Sequence, residues 1–108
     1  MIKLIAFLKR KPGMTMEQFK VRWVDEHTKI SGKMPGLLGY RININQPAQP
    51  SNAEPTYDGT AELWWHSVAE MEAAFASEIG VAAGKDADEF CEMRFHLYTD
   101  EYIVVPGP

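Results

Sequence analysis

Residues 2–9 alternate with a two-residue period, yet both halves of the alternation are apolar: Ile2, Leu4, Ala6 and Leu8 on one side, Ile5 and Phe7 on the other. A strand of this kind has no face it can leave in water. It must therefore be central in its sheet, and both faces of that sheet must be covered by something.

The rest of the chain supplies the other elements through changes of period. After the turn "KRKPG", the stretch "MTMEQF" carries a helix start, with Thr15 as N-cap, Gln18 three residues on to close a capping box, and Met14 against Phe19 as a hydrophobic staple. Phe19, Trp23, His27, Ile30 and Met34 follow at four- and three-residue steps and predict one helical face, which Gly32 and "MPG" end. "LLGYRININ" then reads as a half-exposed strand, with Tyr40, Ile42 and Ile44 on one side and Arg41, Asn43 and Asn45 on the other. The proline-rich stretch 46–59 is a loop, expected at the mouth of a cleft, and "TAELWWH" is a third strand. Ser67 and Glu70 repeat the capping logic for a second helix carrying Met71, Ala74, Phe75 and Ile79 and ending near Gly80 to Gly84. "DADEFCEMR" predicts one or two more helical turns, and "FHLYTDEYIVV" a last strand that "PGP" stops.

The order is β-α-β-β-α-β, the split arrangement of a ferredoxin-like α+β fold with a four-stranded antiparallel sheet. Right-handed crossovers put both helices on one face of it. The uncovered face has to be matched with the doubly apolar first strand, and a two-fold homodimer that pairs this face with its copy is the simplest way to do so.

Residues 1–108 make a single domain, and with 45% hydrophobic residues it can bury an ordinary core. No leader peptide or membrane-length apolar run is visible, and the lone Cys91 agrees with a reducing compartment, so the expected location is cytoplasmic. A net charge of −4 argues against nucleic acid as a partner. Basic residues gather in the first half and acidic ones in the second, which predicts a basic helix and an acidic helix lying side by side or meeting across an interface.

"MIKLIAFLKRKPGMTMEQF", then "W…EH", "MPGLLGY" and "DGTAELWWHS" together resemble the EthD family, named from ethyl tert-butyl ether degradation loci, within the dimeric α/β barrel superfamily. The resemblance implies a homodimer with facing sheets, a cleft between helices and sheet in each subunit, and a role on small cyclic or aromatic compounds. It does not settle the reaction, since such relatives include oxygenases, dehydratases and an isomerase. The methylmuconolactone methylisomerase branch shares the "MPGL…Y" run and the helix histidine, and by that resemblance His27 and Tyr40 line the cleft. That branch has a cysteine where this chain has Leu63, and a loop histidine that residues 46–57 lack.

His27 is the unusual letter on its helical face. An imidazole in an apolar cleft is held neutral near pH 7 and can take or give a proton, with Tyr40 as a donor to a substrate oxygen. The alternative is a packed core histidine bonded to a backbone carbonyl. Trp64 and Trp65 point to opposite faces of their strand, so that one faces the helices and the other a partner; Trp23, Trp64, His96 and Tyr98 are the candidate ligand-contacting residues. His66 is expected in solvent and Cys91 inert. The three histidines show no metal-ligand spacing, and the glycines make neither a dinucleotide nor a phosphate loop, so neither metal nor nucleotide cofactor is expected. Two functions from different classes follow: a small oxygenase-like, isomerase or lyase enzyme working through His27, or a non-catalytic module that binds such a ligand.

Overall fold

The computed structural model describes residues 1–108. β1 (Ile2–Arg10), β2 (Gly39–Ile44), β3 (Gly59–Trp65) and β4 (Cys91–Thr99) pair antiparallel in one sheet of order β2-β3-β1-β4. β1 is central, as its two apolar sides require. Its inward residues Leu4, Ala6 and Leu8 sit opposite Leu63, Ala61 and Gly59 of β3, and opposite Tyr98, His96 and Arg94 of β4. The helices cover this face, and the architecture is the ferredoxin-like βαββαβ of the α+β class. No helix is long and apolar enough to cross a membrane.

Between β1 and β2 the chain runs as one continuous helix of three parts: α1 (Met16–Lys20), a π-helical segment Val21–His27, and α2 (Thr28–Ser31). Both bonds of the Thr15–Gln18 capping box are present. The π segment changes the predicted face. Residues four apart drift by about 40° per step on an α-helix, but the wider i→i+5 turn of a π-helix removes much of that drift. The buried row is accordingly Phe19, Trp23, His27 and Ser31, while Ile30, expected on it, is only half-buried.

The second helical region departs further from expectation. It is two helices, α3 (Val68–Ala76) and α4 (Glu78–Phe90), joined at Ser77, whose extended backbone breaks the run. The Ser77 hydroxyl donates to Ala74 O at 2.6 Å and accepts from Gly80 N–H at 3.1 Å, closing one helix and capping the next. Gly80 therefore does not end a helix. It permits a close crossing, since a Cβ there would stand 2.1 Å from Ala74 O and 2.6 Å from Phe75 Cα. Ile79, expected in the core, lies at the surface.

β4 also begins earlier and ends earlier than predicted. Cys91 to Arg94 are strand rather than helix because β1 reaches back to Lys9 and Arg10 and offers them ladder partners. At the other end Thr99 pairs with Lys3, so the chain beyond has no strand left to pair with; Tyr102 to Val105, expected as strand, leave the sheet 73–90% exposed.

The two predicted directions of Trp64 and Trp65 are observed. Trp65 is fully buried under the helices and donates its indole N–H to Pro35 O at 2.9 Å. Trp64 lies on the opposite face with Lys3 and Arg41 each 5.0 Å from its ring. The rest of that face is apolar along its middle, with Ile5 and Phe7 half-buried and Phe95 and Leu97 at 52% and 44% exposure. The 46–57 loop does not reach the cleft as expected. Tyr57 packs on Phe7, on the helix-free face, and buried Asp58 ties the loop's end to Arg10, accepting from its backbone N–H at 2.9 Å and its guanidinium at 2.5 Å.

Gly59 lies directly under Trp23 of the first helix, and a Cβ there would stand 2.5 Å from Asn43 O and 2.7 Å from the Trp23 ring. Gly59→Ala is expected to destabilise the domain by roughly 1–3 kcal/mol through overpacking, read as a lower denaturant midpoint with an unchanged slope.

Candidate active site

One partly enclosed cavity lies between the sheet and the helices, with about 520 Å³ of empty space counting its open mouth. Its floor is the inward face of β1 and β3, including Leu4, Ala6 and Leu63, and Phe75, Ala83 and Ala87 wall it from α3 and α4. The polar groups on its lining are His27, Ser31, Tyr40, Arg94 and His96, and no carboxylate lines it. Leu63 puts an aliphatic side chain on the floor.

The structure brings together Trp23, His27, Tyr40 and His96 of the residues singled out from the sequence. It leaves two out. Trp64 belongs to the other face of the sheet, because alternation sends it away from the helices whenever Trp65 goes in. Tyr98 shares the inward face with His96 but stands beyond the cavity, 52% exposed. His66 is exposed, as expected, and lines no part of the cavity.

His27 is 7% exposed and lines the cavity. Its partner is not a backbone carbonyl but Asp86 of α4, whose Oδ2 lies 2.8 Å from the ring Nδ1. The same carboxylate takes both arms of the Arg22 guanidinium, Nη1 to Oδ2 at 3.0 Å and Nη2 to Oδ1 at 2.7 Å. This is the meeting of basic and acidic helices that the charge pattern predicted, extended by Glu89 at 3.2 Å from Arg22. Arg22 and His27 are five residues apart. On an α-helix they would point about 140° apart; the π segment, whose backbone bonds link i to i+5, stacks them so that both reach one carboxylate.

The ring's other nitrogen, Nε2, has no hydrogen-bond partner in the protein, yet no unpartnered polar side-chain atom is sealed from solvent. Nε2 therefore keeps contact with solvent, and the ring belongs to the lining of the cavity. Burial holds the His27 pKa below its ordinary value, against the opposing pull of Asp86. Asp86 is itself held below the usual carboxylate range, first by its bonds from Arg22. Because Arg22 already balances the carboxylate, Asp86 orients the imidazole without forcing it to carry a charge. The result is a neutral ring with its proton on Nδ1 and a lone pair on Nε2.

One turn along the helix from His27, the Ser31 hydroxyl oxygen lies 2.9 Å from that of Tyr40, and Ser31 has an alternative acceptor in His27 O at 3.2 Å. Burial raises the Tyr40 pKa, so it is a neutral donor. His96, with its ring 5.4 Å from Phe75, is lowered by partial burial and then by the charge of Arg94. The Cys91 thiol is buried and its pKa is pushed up to about 12, which leaves it inert. No group of three or more His, Cys, Asp or Glu side chains converges in a way that could hold a metal ion.

Asp86, Arg22, Ser31 and Arg94 were not singled out from the sequence. Arg22 five residues before His27 is an off-face position on any α-helical reading, and nothing local in "GKDADEF" tells which of its acidic side chains turns inward.

An EthD domain model matches residues 11–94. No curated protein sequence matches the chain. Among solved structures, an EthD family protein from Bacillus halodurans C-125 is 23% identical, with a TM-score of 0.79 over 94% of this chain and 99% of that one. A dimeric protein of ferredoxin-like fold from Bacteroides fragilis NCTC 9343 is 16% identical, with a TM-score of 0.69 over 93% and 95%. A hydroxynitrile lyase from Passiflora edulis is 20% identical, with a TM-score of 0.73 over 97% and 96%. These likenesses show the shared fold. With the EthD model running from the turn after β1 into β4, over more than half of its length, the chain belongs to the EthD domain family.

Proposed function

We propose that this protein is a small enzyme acting on a cyclic or aromatic metabolite, with His27 as general base and acid and Asp86 as the residue that orients it. The observation that carries this reading is the pairing of His27 Nδ1 with Asp86 while the same ring lines an apolar cavity. A histidine kept only for packing has no need of a carboxylate that is already neutralised by Arg22. A histidine that must accept a proton on Nε2 and release it again needs its tautomer fixed and its transient positive charge balanced.

In the proposed cycle, Nε2 takes a proton from an acidic C–H or O–H of the bound ligand, and Asp86 stabilises the imidazolium that forms. Negative charge develops on a ligand oxygen, and Tyr40 donates to it. For that, Ser31 turns its own proton from His27 O to the Tyr40 oxygen, which frees the phenol proton for the ligand. Reprotonation elsewhere on the ligand gives isomerisation, and loss of a leaving group gives lyase chemistry. The existence of a lyase on this fold supports that range of outcomes. The ionised ligand is equally the species that a cofactor-independent oxygenase would present to oxygen.

We also infer that the working form is a homodimer joined through the helix-free face of the sheet. Phe95, Leu97 and the half-buried Ile5 and Phe7 form an apolar band there, and a protein of the same fold is described as dimeric. Light scattering at micromolar concentration is expected to give twice the chain mass, with an interface on the order of 1,200–2,000 Å². Leu97→Glu should halve that mass, and a monomeric wild type would refute the dimer.

His27→Ala is expected to abolish turnover while reducing stability by less than about 1.5 kcal/mol, because Asp86 keeps Arg22 and the vacated space joins an existing cavity. Substrate is to be sought by mass spectrometry of co-purifying compounds and by thermal-shift screening of small aromatic acids and lactones. A large drop in melting temperature with activity retained would return His27 to a packing role.

In Asp86→Asn the amide oxygen at the Oδ1 position keeps the bond from Arg22 Nη2, and the NH₂ group at the Oδ2 position faces His27 Nδ1 and costs Arg22 Nη1 its acceptor. Imidazole ¹⁵N shifts should then report the proton moved from Nδ1 to Nε2. Acid stability provides a second check. Asp86, Arg22 and Arg94 are the charged groups facing His27, and its folded pKa lies below the unfolded value of 6.5. The unfolded chain therefore binds the proton first, and stability falls as pH drops from about 6.5 toward the folded pKa. His96 contributes in the same direction. His27→Gln should accordingly lose part of this slope and keep the rest.

A further inference from the structure

The cavity carries one permanent charge, and it is positive. Arg94 extends from the inward face of β4, opposite Leu8, and both lines the cavity and is exposed, which places it at the mouth. Two of its three nitrogens are engaged: Nε donates to Asp88 Oδ1 at 3.0 Å, and Nη2 to Gly84 O at 3.2 Å and Asp88 Oδ1 at 2.9 Å. Nη1 has no acceptor in the protein. The Asp88 side chain is 68% exposed, so its ion pair with Arg94 is screened by water and competes weakly with a ligand. Behind Arg94 the lining is apolar except for His27, Ser31, Tyr40 and His96, none of which carries a negative charge.

From this distribution we propose that the ligand is a ring compound bearing a carboxylate, seated with its ring on the floor of the cavity and its carboxylate on Arg94 at the mouth. The proposal rests on the proton-transfer reading of His27 and names the substrate class for it. A carboxylate gains a charge-assisted bond to a guanidinium whose orientation is already fixed by Gly84 and Asp88, while its ring takes the apolar floor. A neutral analogue gains only the second contribution. Anchoring at the mouth also fixes which end of the molecule is carried inward to Nε2 of His27. A carboxylate held at the inner end would instead face only Tyr40, Ser31 and a neutral imidazole.

The test compares benzoate with benzamide, which share a ring and differ in charge, by NMR titration at pH 7.5 following the His27 and His96 imidazole signals. Benzoate is expected to bind at least tenfold more tightly than benzamide and to weaken with added sodium chloride. Arg94→Gln should remove most of that preference, and Arg94→Lys should restore part of it. A purely structural role, in which Arg94 only ties β4 to α4, predicts lower melting temperatures for these variants with the benzoate preference kept, and that result overturns the proposal. The wild-type comparison decides the matter even if the variants fold poorly. Equal binding of the two probes, with His27 signals moving for both, overturns the carboxylate assignment and leaves the proton-transfer reading intact. Failure of both probes to move His27 at tens of millimolar counts against both the carboxylate assignment and the proton-transfer reading.

Discussion

The carboxylate of Asp86 is shared between a guanidinium and an imidazole, and the geometry around the cavity follows from that sharing. Arg22 and His27 belong to the helix between β1 and β2; Asp86 belongs to α4, and the three side chains fasten one helix to the other over the sheet. With the helices so held, Trp23 lies over Gly59 and the space beneath them stays open instead of closing into core. The contact also decides protonation. A lone buried carboxylate beside His27 would favour the imidazolium, but one already bound by both arms of Arg22 leaves the ring neutral and fixes its tautomer.

The π-helical turn is the local departure that makes this possible. Such turns are uncommon in proteins and recur at functional sites. Here the chemical reason is plain: two side chains five residues apart cannot meet one acceptor from a regular α-helix. Val21–His27 gives up regular i→i+4 bonding, and in return Arg22 and His27 converge and the buried row continues as Phe19, Trp23, His27 and Ser31.

A second asymmetry belongs to the sheet. Its inward face is closed by helices and holds the cavity, whereas its outward face keeps an apolar band with Trp64 at one side between Lys3 and Arg41. The two tryptophans at 64 and 65 mark this division residue by residue. The site is therefore contained within the helix-covered face of a single chain, and no part of it lies on the opposite face.

Much of the architecture was legible in the sequence because it depends on short-range periodicity. The doubly apolar run 2–9 required a central strand, Thr15 and Gln18 marked a helix start, and the order of periods specified βαββαβ. Those patterns act through nearest neighbours and survive being read one segment at a time. The site was legible only in part. His27 stood out as a titratable ring on an apolar face, and Tyr40 faced inward by alternation, but the orienting carboxylate lies 59 residues away from His27 and its identity depends on how α3 and α4 divide at Ser77. The π turn has no signature in "VRWVDEH" that distinguishes it from an α-helix, since its stabilisation comes from contacts with another helix. The division at Ser77 and the early start of β4 were likewise decided by partners, namely the crossing at Gly80 and the ladder offered by β1. The sequence by itself determined the order of helices and strands and which of their sides are apolar, because those properties are local. Tertiary structure decided which polar groups share the cavity, because that is set by long-range packing that brings one face of one helix against one carboxylate of another.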